Sequence, residues 1–369
     1  MTDHPSQAPS PRRLHGLDAL RGFAAVAVVL YHYTAWFGHD GDPHVAPGPS
    51  AVFGRGHFGV ELFFVISGFV IFMTLDRTES LRAFIVARVL RLYPGFLACM
   101  AVTLLVTAAL DPAPLSPGRL LANLTMAPEL FGTRPIDGSY WSLLYEFVFY
   151  ALAALCCLVL GCRRPEIPCA IWLAAALTIR LSGLNLACKP LEQLTAAWFA
   201  HLFIIGIMLF RIHAGRATVL TWLLLLLALE TALFGPHFVF QPTPRIVYGG
   251  IILGFAGLVW FAATPAGCAL AVRPLRVLGQ ISYPLYLVHQ AAGFLVIARL
   301  EAAGFTADAA IGMAILLSVG VAWVIHRGVE RPAQRRGKAA LFRRQPATFT
   351  VSAVFPRPSA SQQAGASGS

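Results

Sequence analysis

Charged residues are scarce in this chain of 369 residues. Only 12% of the residues are Asp, Glu, Lys or Arg, whereas 57% are hydrophobic. An ordinary soluble domain has about a quarter of its residues charged, so this composition excludes that class. It predicts instead a protein that crosses a membrane several times.

The sequence also lacks the patterns of a metal site or a disulfide framework. Its 7 cysteines are odd in number and scattered, with no zinc-ligand spacing. We therefore expect small apolar fillers and no metal. No small-residue cleavage site follows the first apolar run, so we expect this run to be retained as a helix. An internal repeat, on which many secondary transporters are built, is missing as well.

Apolar runs long enough to cross a bilayer recur along the chain. They predict an all-α, polytopic membrane protein with about ten transmembrane helices around a central cavity. The runs lie near residues 17–37, 57–75, 93–110, 139–160, 167–182, 194–210, 218–234, 245–263, 277–298 and 307–326. The fifth run is short and contains Arg180. Within the long connection 111–138, the stretch Ser116–Thr125 predicts a short helix on the membrane surface.

The basic residues predict how these helices are oriented. The net charge is +11, and most of the 28 Lys and Arg residues fall in segments that are cytoplasmic if both termini are inside. We predict an N-in, C-in protein of the inner membrane that does not bind nucleic acid. Its parts are a cytoplasmic segment 1–16, a membrane domain 17–338 and a disordered cytoplasmic tail 339–369.

Two polar residues, Arg21 and His32, interrupt the first apolar run. Eleven helical steps of about 100° bring both side chains to nearly the same face, with about 16 Å between them. Groups of this kind are unfavourable in hydrocarbon unless a cavity or a protein interior receives them. The pair predicts a site in which His32 takes and returns a proton near neutral pH. The alternative is that Arg21 snorkels to the interface and His32 is a satisfied core histidine.

Three further ionisable residues lie within other runs. Glu61, Glu146 and His289 belong to three different predicted helices and reach about the depth of His32. Several such groups at one level predict a cavity in which they pair. The alternative is that they join neighbouring helices through hydrogen bonds without any role in chemistry.

A basic pair precedes the third run. Arg88 and Arg91 lie three residues apart, so they project from one helical face at the cytoplasmic surface. Together with Arg21 they predict a mouth that binds phosphate groups. The alternative is the general excess of basic residues in cytoplasmic loops.

These patterns resemble acyltransferase family 3, the integral membrane O-acyltransferases of bacteria. The resemblance covers the chain from about Leu17 to Pro332. It rests on six motifs in order: Arg21-x10-His32, Gly59-Val-Glu-Leu-Phe-Phe-Val-Ile-Ser-Gly68, Arg88-x-x-Arg91-x-Tyr93-Pro94, Trp141-Ser-Leu-x-x-Glu146, Leu278-Gly-Gln-Ile-Ser282-Tyr283-x-Leu-Tyr286-Leu-x-His289 and Glu330-Arg-Pro332.

The resemblance implies an enzyme that transfers an acyl group, commonly acetyl, from cytoplasmic acyl-CoA to a hydroxyl. In this family the acceptor is often a sugar of an extracytoplasmic glycan, such as O-antigen or exopolysaccharide, and some members modify macrolides. The essential arginine and histidine of the family correspond to Arg21 and His32, and its loop arginines to Arg88 and Arg91. Glu61 departs from the aspartate that is more usual in its motif.

Resemblance and spacing lead to one hypothesis. The phosphates of CoA lie on Arg88 and Arg91, with Arg21 just inside the mouth. The pantetheine arm runs along the first helix. His32, which a carboxylate such as Glu61 orients, deprotonates the acceptor hydroxyl. A covalent acyl-histidine stays open, and a transporter or flippase is the alternative from another class. We expect Tyr93 on the donor side, and on the acceptor side Trp141, Glu146, Ser282, Tyr286 and His289.

Overall fold

The computed structural model describes residues 14–36, 53–78, 80–112, 114–160, 164–184, 188–235 and 243–343. Within these ranges every regular element is helical. We number the α-helices α1 His15–Tyr31, α2 Gly59–Arg77, α3 Leu81–Leu110, α4 Pro117–Leu124, α5 Trp141–Leu160, α6 Glu166–Leu181, α7 Lys189–Thr195, α8 Ala200–His213, α9 Val219–Phe234, α10 Arg245–Ala263, α11 Arg273–Val288, α12 Gln290–Ala302, α13 Ala307–Ile325 and α14 Arg331–Arg343. Short π-helical turns, His32–Trp36 and His326–Glu330, follow α1 and α13.

Hydroxyl side chains set where several helices begin. Ser80, Ser116, Thr218 and Thr306 directly precede α3, α4, α9 and α13. Each accepts a hydrogen bond from the backbone N–H three residues further on. Such caps satisfy N–H groups that have no partner within the helix. The short helix α4 coincides with the surface helix predicted for Ser116–Thr125.

The structure confirms an all-helical membrane protein in its coarse form. Among the described residues, six helices are long and apolar enough to cross a membrane, or seven if one bent pair counts as a single span. A helix overlaps each of the ten predicted runs. However, α1, α6 and α9 have only 17, 16 and 16 residues. The number ten and the orientation therefore stay predictions.

The ninth predicted run is two helices rather than one. Helices α11 and α12 meet at an angle of 74°, and the break falls at His289. Pro284 lies inside α11 without ending it. The bend places the His289 side chain where the two helices meet, fully buried in the protein.

Several details outside the site complete the fold. Arg180 is 6% exposed, and its guanidinium lies over the ring of Trp198 at 5.2 Å, which explains how a cation is accommodated in the fifth run.

Cys157 is disulfide-bonded, contrary to the expectation that the cysteines are only apolar fillers. Helix α14 continues to Arg343, five residues beyond the predicted end of the membrane domain. Residues 1–13 and 344–369 lie outside the described residues. They make up most of the predicted N-terminal segment 1–16 and of the predicted tail 339–369.

Helices α2 and α8 are joined at a contact between small residues. A Cβ atom on Gly206 would overlap the carbonyl oxygen of Val65, and one on Gly68 would overlap that of Phe203. The two backbones therefore approach as closely as glycine permits, which is a common packing device between membrane helices.

We expect Gly206→Ala to destabilise the protein, because the new methyl group separates α2 from α8. Overpacking of this kind costs about 1–3 kcal/mol, visible as a lower midpoint in thermal unfolding of the purified full-length protein. Gly254→Ala in α10 is the matched control, since a Cβ there meets nothing within 4 Å. Equal midpoints for the two variants would contradict the close contact.

Candidate functional site

Two cavities share the residues that the sequence singled out as a basic mouth. The mouth cavity, about 400 Å³ in volume, is lined by Asp18, Arg21, Val70, Ala87, Arg88, Leu90, Arg91, Gly279, Gln280, His326, Arg331 and Gln334. The inner cavity, about 60 Å³, shares Arg21, Val70, Arg88 and Arg91 with it. It continues between α2, α5 and α11 to Ser142, Glu146, Tyr150 and Tyr286.

Arg21, Arg88 and Arg91 lie at the junction of the two cavities. The Nε atoms of Arg21 and Arg88 are buried and have no hydrogen-bond partner among the described residues. Arg331 adds a fourth guanidinium to the mouth cavity, and the side-chain amide nitrogen of Gln334 there is also buried without a partner. Buried donors without acceptors are unfavourable, and an anionic ligand in the cavity would supply the acceptors.

The inner cavity has one acidic group. Glu146 lines it and accepts a short hydrogen bond from the hydroxyl of Tyr150, one helical turn further along α5. Deeper in the cavity, the hydroxyl of Tyr286 and Oγ of Ser142 are 2.9 Å apart. Ser282 also lines the cavity, although its hydroxyl donates to the carbonyl of Gly279 at 2.9 Å. Polar groups therefore follow the cavity from the arginines to Tyr286.

His32 and His289 form a direct pair. Nδ1 of His32 is 2.9 Å from Nε2 of His289 and 3.0 Å from the carbonyl oxygen of Val28. Nδ1 of His289 is 2.8 Å from the carbonyl oxygen of Tyr286. Nε2 of His32 makes no hydrogen bond with the described residues.

The loop before α5 and the first π-turn hold His289 in place. Asp137 accepts hydrogen bonds from the backbone N–H and hydroxyl of Ser139, and its second oxygen accepts from the N–H of Ala291 at 2.9 Å. This last bond caps the start of α12 directly after the break. Burial raises the pKa of Asp137 to about 6, and the donated hydrogen bonds act in the opposite direction. On the other side, the hydroxyl of Tyr33 donates to the carbonyl of His289 at 2.6 Å.

Besides the histidine pair, three of the predicted residues lie apart from both cavities. Glu61 is 6% exposed, with Oε2 unpartnered among the described residues, and His32 bonds His289 rather than Glu61. The hydroxyl of Tyr93 donates to the carbonyl of Leu124, which ties α3 to α4. Trp141 packs edge-on against Tyr145 and near Phe199. Glu146 lines the inner cavity and does not join the histidine pair, so the four ionisable groups do not form one cluster.

As the described residues line them, the two cavities do not extend along α1 as far as His32. The inner cavity reaches Phe63 and Tyr286, whose rings are 6.1 Å apart, and the ring of Tyr286 is 5.8 Å from that of His289. The physical reason is packing, because Phe63 contacts the buried cluster that contains Val29 and Leu285.

Several residues of the site were not assigned from the sequence. Tyr150 follows Glu146 by four residues on a helix, and this spacing could have identified it. The contributions of Asp137, Tyr33 and Arg331 depend on contacts between segments distant in the chain, which no local pattern displays. Among the described residues there is no group of three or more His, Cys, Asp or Glu that could hold a metal ion.

Comparison with known proteins places this geometry in a family. Residues 14–327 match the family model Acyl_transf_3, described as "Acyltransferase domain". No solved structure matches the chain.

Individual relatives share parts of the chain. Nodulation protein 10 of Rhizobium leguminosarum bv. viciae is 31% identical over 40% of this chain and 45% of its own length. O-acetyltransferase OatA of Staphylococcus aureus is 36% identical over 28% of this chain and 16% of its own length. Exopolysaccharide production protein ExoZ of Rhizobium meliloti is 29% identical over 80% of this chain and 95% of its own length. The chain thus spans less than half of the first two relatives and nearly all of the third.

Proposed function

Because this chain belongs to the acyltransferase family that matches its residues 14–327, we propose that it transfers an acyl group, most simply acetyl, from cytoplasmic acyl-CoA to a hydroxyl of an extracytoplasmic carbohydrate. The observation that carries the proposal is the junction of the two cavities. There Arg21, Arg88 and Arg91 surround space for a ligand, and two of them present buried, unpartnered donors. Guanidinium groups bind phosphate through paired, charge-assisted hydrogen bonds. CoA is the acyl carrier that brings several phosphates.

The shape of the site accords with the rest of such a donor. The inner cavity extends from the arginines to Ser142 and Tyr286, and a long pantetheine arm enters it once the side chains that line it, Phe63 and Tyr286 among them, move apart. The thioester at its end then lies next to the histidine pair, because Tyr286 contacts both the cavity and His289.

His32 acts as the general base in this proposal. Its Nε2 takes the proton of the acceptor hydroxyl while the acceptor oxygen forms a bond to the thioester carbon. The bond between that carbon and sulfur breaks, and the proton passes from His32 to the CoA thiolate. The products are an ester and free CoA, and the histidine returns to its neutral form.

One conformational step is required. The side chains of Phe63 and Tyr286 must move apart so that the thioester reaches Nε2 of His32. Such side-chain rotations are fast relative to enzymatic turnover. Glu61, Trp141, Ser282 and Glu146 are proposed to contact the acceptor or to shape its path, and Tyr93 to support the donor side through α4.

The name of one relative, an exopolysaccharide production protein, favours a carbohydrate acceptor. The name of another, an O-acetyltransferase, favours transfer of acetyl to a hydroxyl. A small hydrophobic acceptor, such as a macrolide, is the alternative.

In either case we propose ten spans in the inner membrane with both termini in the cytoplasm, a membrane domain over 17–338, and a mouth cavity that opens to the cytoplasm.

Transfer from labelled acetyl-CoA tests this function. We expect membranes with the full-length protein to release free CoA and to label an envelope glycan, whose mass difference between wild-type and deletion strains identifies the group and its carrier. We also expect acetyl-CoA to protect the purified protein thermally, by about 2.7 kcal/mol at a concentration of 100 times Kd. Transport of a lipid without CoA release, and without protection, would support a flippase and overturn the proposal.

A further inference from the structure

The hydrogen bonds of the histidine pair allow only one arrangement of protons in its neutral form. A carbonyl oxygen only accepts, so Nδ1 of His289 must donate to Tyr286, and Nε2 of His289 then carries a lone pair. Nδ1 of His32 faces the carbonyl of Val28 and this lone pair, so it must carry a proton as well. The reverse assignment would place two lone pairs against carbonyl oxygens at 2.8 and 3.0 Å.

We propose that His289 is a positioning residue, which fixes the proton of His32 on Nδ1 and thereby leaves Nε2 as the free base. This inference rests on the proposed function. It reassigns His289, which the sequence placed on the acceptor side, because the residue is fully buried and lines neither cavity. Imidazole in water favours the opposite tautomer, with the proton on Nε2, so the protein must impose the one that catalysis uses.

The carbonyl of Val28 does not replace this role. It already accepts the backbone N–H of His32, and a shared acceptor holds the side-chain proton less well. Nε2 of His289, in contrast, has its lone pair directed at His32, with no competing donor among the described residues. When Nε2 of His32 takes the acceptor proton, the same lone pair accepts the more strongly polarised Nδ1–H and stabilises the imidazolium.

The surroundings of the pair make His289 rigid. The capping bond from Asp137 to Ala291 fixes the start of α12, and Tyr33 donates to the carbonyl of His289. Because the hydrogen of that hydroxyl is used, Ser318 must donate to Tyr33, at 2.9 Å. The titratable groups that face the pair are Tyr31, Tyr33, His57, Tyr286 and, through Tyr33, Asp137.

Two substitutions of similar size distinguish whether His289 acts as a hydrogen-bond acceptor or only fills space. His289→Leu keeps bulk and removes the acceptor, whereas the amide oxygen of His289→Gln can accept from Nδ1 of His32. We expect kcat of the Leu variant to fall by about 10²-fold or more. The kcat of the Gln variant should be at least about tenfold higher than that of the Leu variant. KM for acetyl-CoA should stay unchanged in both. Equal kcat in the two variants, or no loss in the Leu variant, would overturn the inference.

A spectroscopic measurement does not depend on activity. The full-length protein, with nitrogen-15 in its 11 histidines, is compared with His32→Gln in lipid nanodiscs by nuclear magnetic resonance to assign the His32 signals. We expect the wild type to carry the proton on Nδ1 of His32 and the Leu variant to gain the Nε2 tautomer. A wild-type proton on Nε2 would overturn the inference. If the tautomers are as expected but the protein transfers no acyl group, the proposed function would be overturned and the hydrogen bonding of the histidine pair would stand.

Discussion

Replacement of His32 by alanine is expected to lower acyl transfer by about 10²–10⁴-fold, the range that general acid–base groups contribute. Nε2 of His32 is the nitrogen without a hydrogen bond among the described residues, and its partner His289 offers only a lone pair. The acceptor hydroxyl would therefore keep its proton in the variant. Transfer is measured as CoA release in membranes with equal amounts of folded protein.

Binding of acetyl-CoA should survive this change, because His32 lines neither the mouth cavity nor the inner cavity. Thermal protection by acetyl-CoA thus separates loss of chemistry from loss of folding. His201→Ala is the control, since His201 is another histidine of a predicted membrane helix, fully buried and hydrogen-bonded to Tyr248 at 3.3 Å. We expect it to lower stability and to retain kcat per folded molecule. Normal transfer by His32→Ala would eliminate the base role.

The part of the site that the sequence predicted lies on single helices. The spacing of Arg21 and His32 within α1, and of Arg88 and Arg91 within α3, is a local property that follows from helix geometry. The structure accordingly brings the three arginines together at the cavity junction. Membrane helices are also easy to recognise, because long apolar runs leave the backbone few alternatives to an α-helix.

What the sequence could not predict depends on the relative depth and rotation of separate helices. Counting residues placed Glu61, Glu146, His289 and His32 at one level, yet only the two histidines meet. The two histidines meet because α11 packs along α1 and His289 lies at the end of α11, where α12 departs at an angle of 74°. The loop residue Asp137 stabilises that bend from a segment that pattern reading treated as a connection.

The second large effect is expected at the donor end. We expect Arg88→Gln and Arg91→Gln each to raise KM for acetyl-CoA roughly tenfold to hundredfold, since a hydrogen bond to a charged group contributes about 1.5–3 kcal/mol. The value of kcat should change little, because neither residue approaches His32. Arg82→Gln is the matched control: it removes the same charge from the same helix α3, at an exposed position outside both cavities.

Acetyl-CoA without its 3′-phosphate shows which arginine binds which phosphate. If Arg88 contacts the 3′-phosphate, Arg88→Gln should weaken binding of acetyl-CoA but hardly that of the dephosphorylated donor. The affinity lost by the substitution and the affinity lost by removal of the phosphate are then not additive. An arginine that contacts the pyrophosphate should weaken both donors equally. High salt should weaken wild-type binding and reduce the difference between variants, because exposed phosphates are screened. A fall in kcat at unchanged KM would instead place these arginines at the reacting thioester, and the donor could then not enter with its phosphates at the mouth.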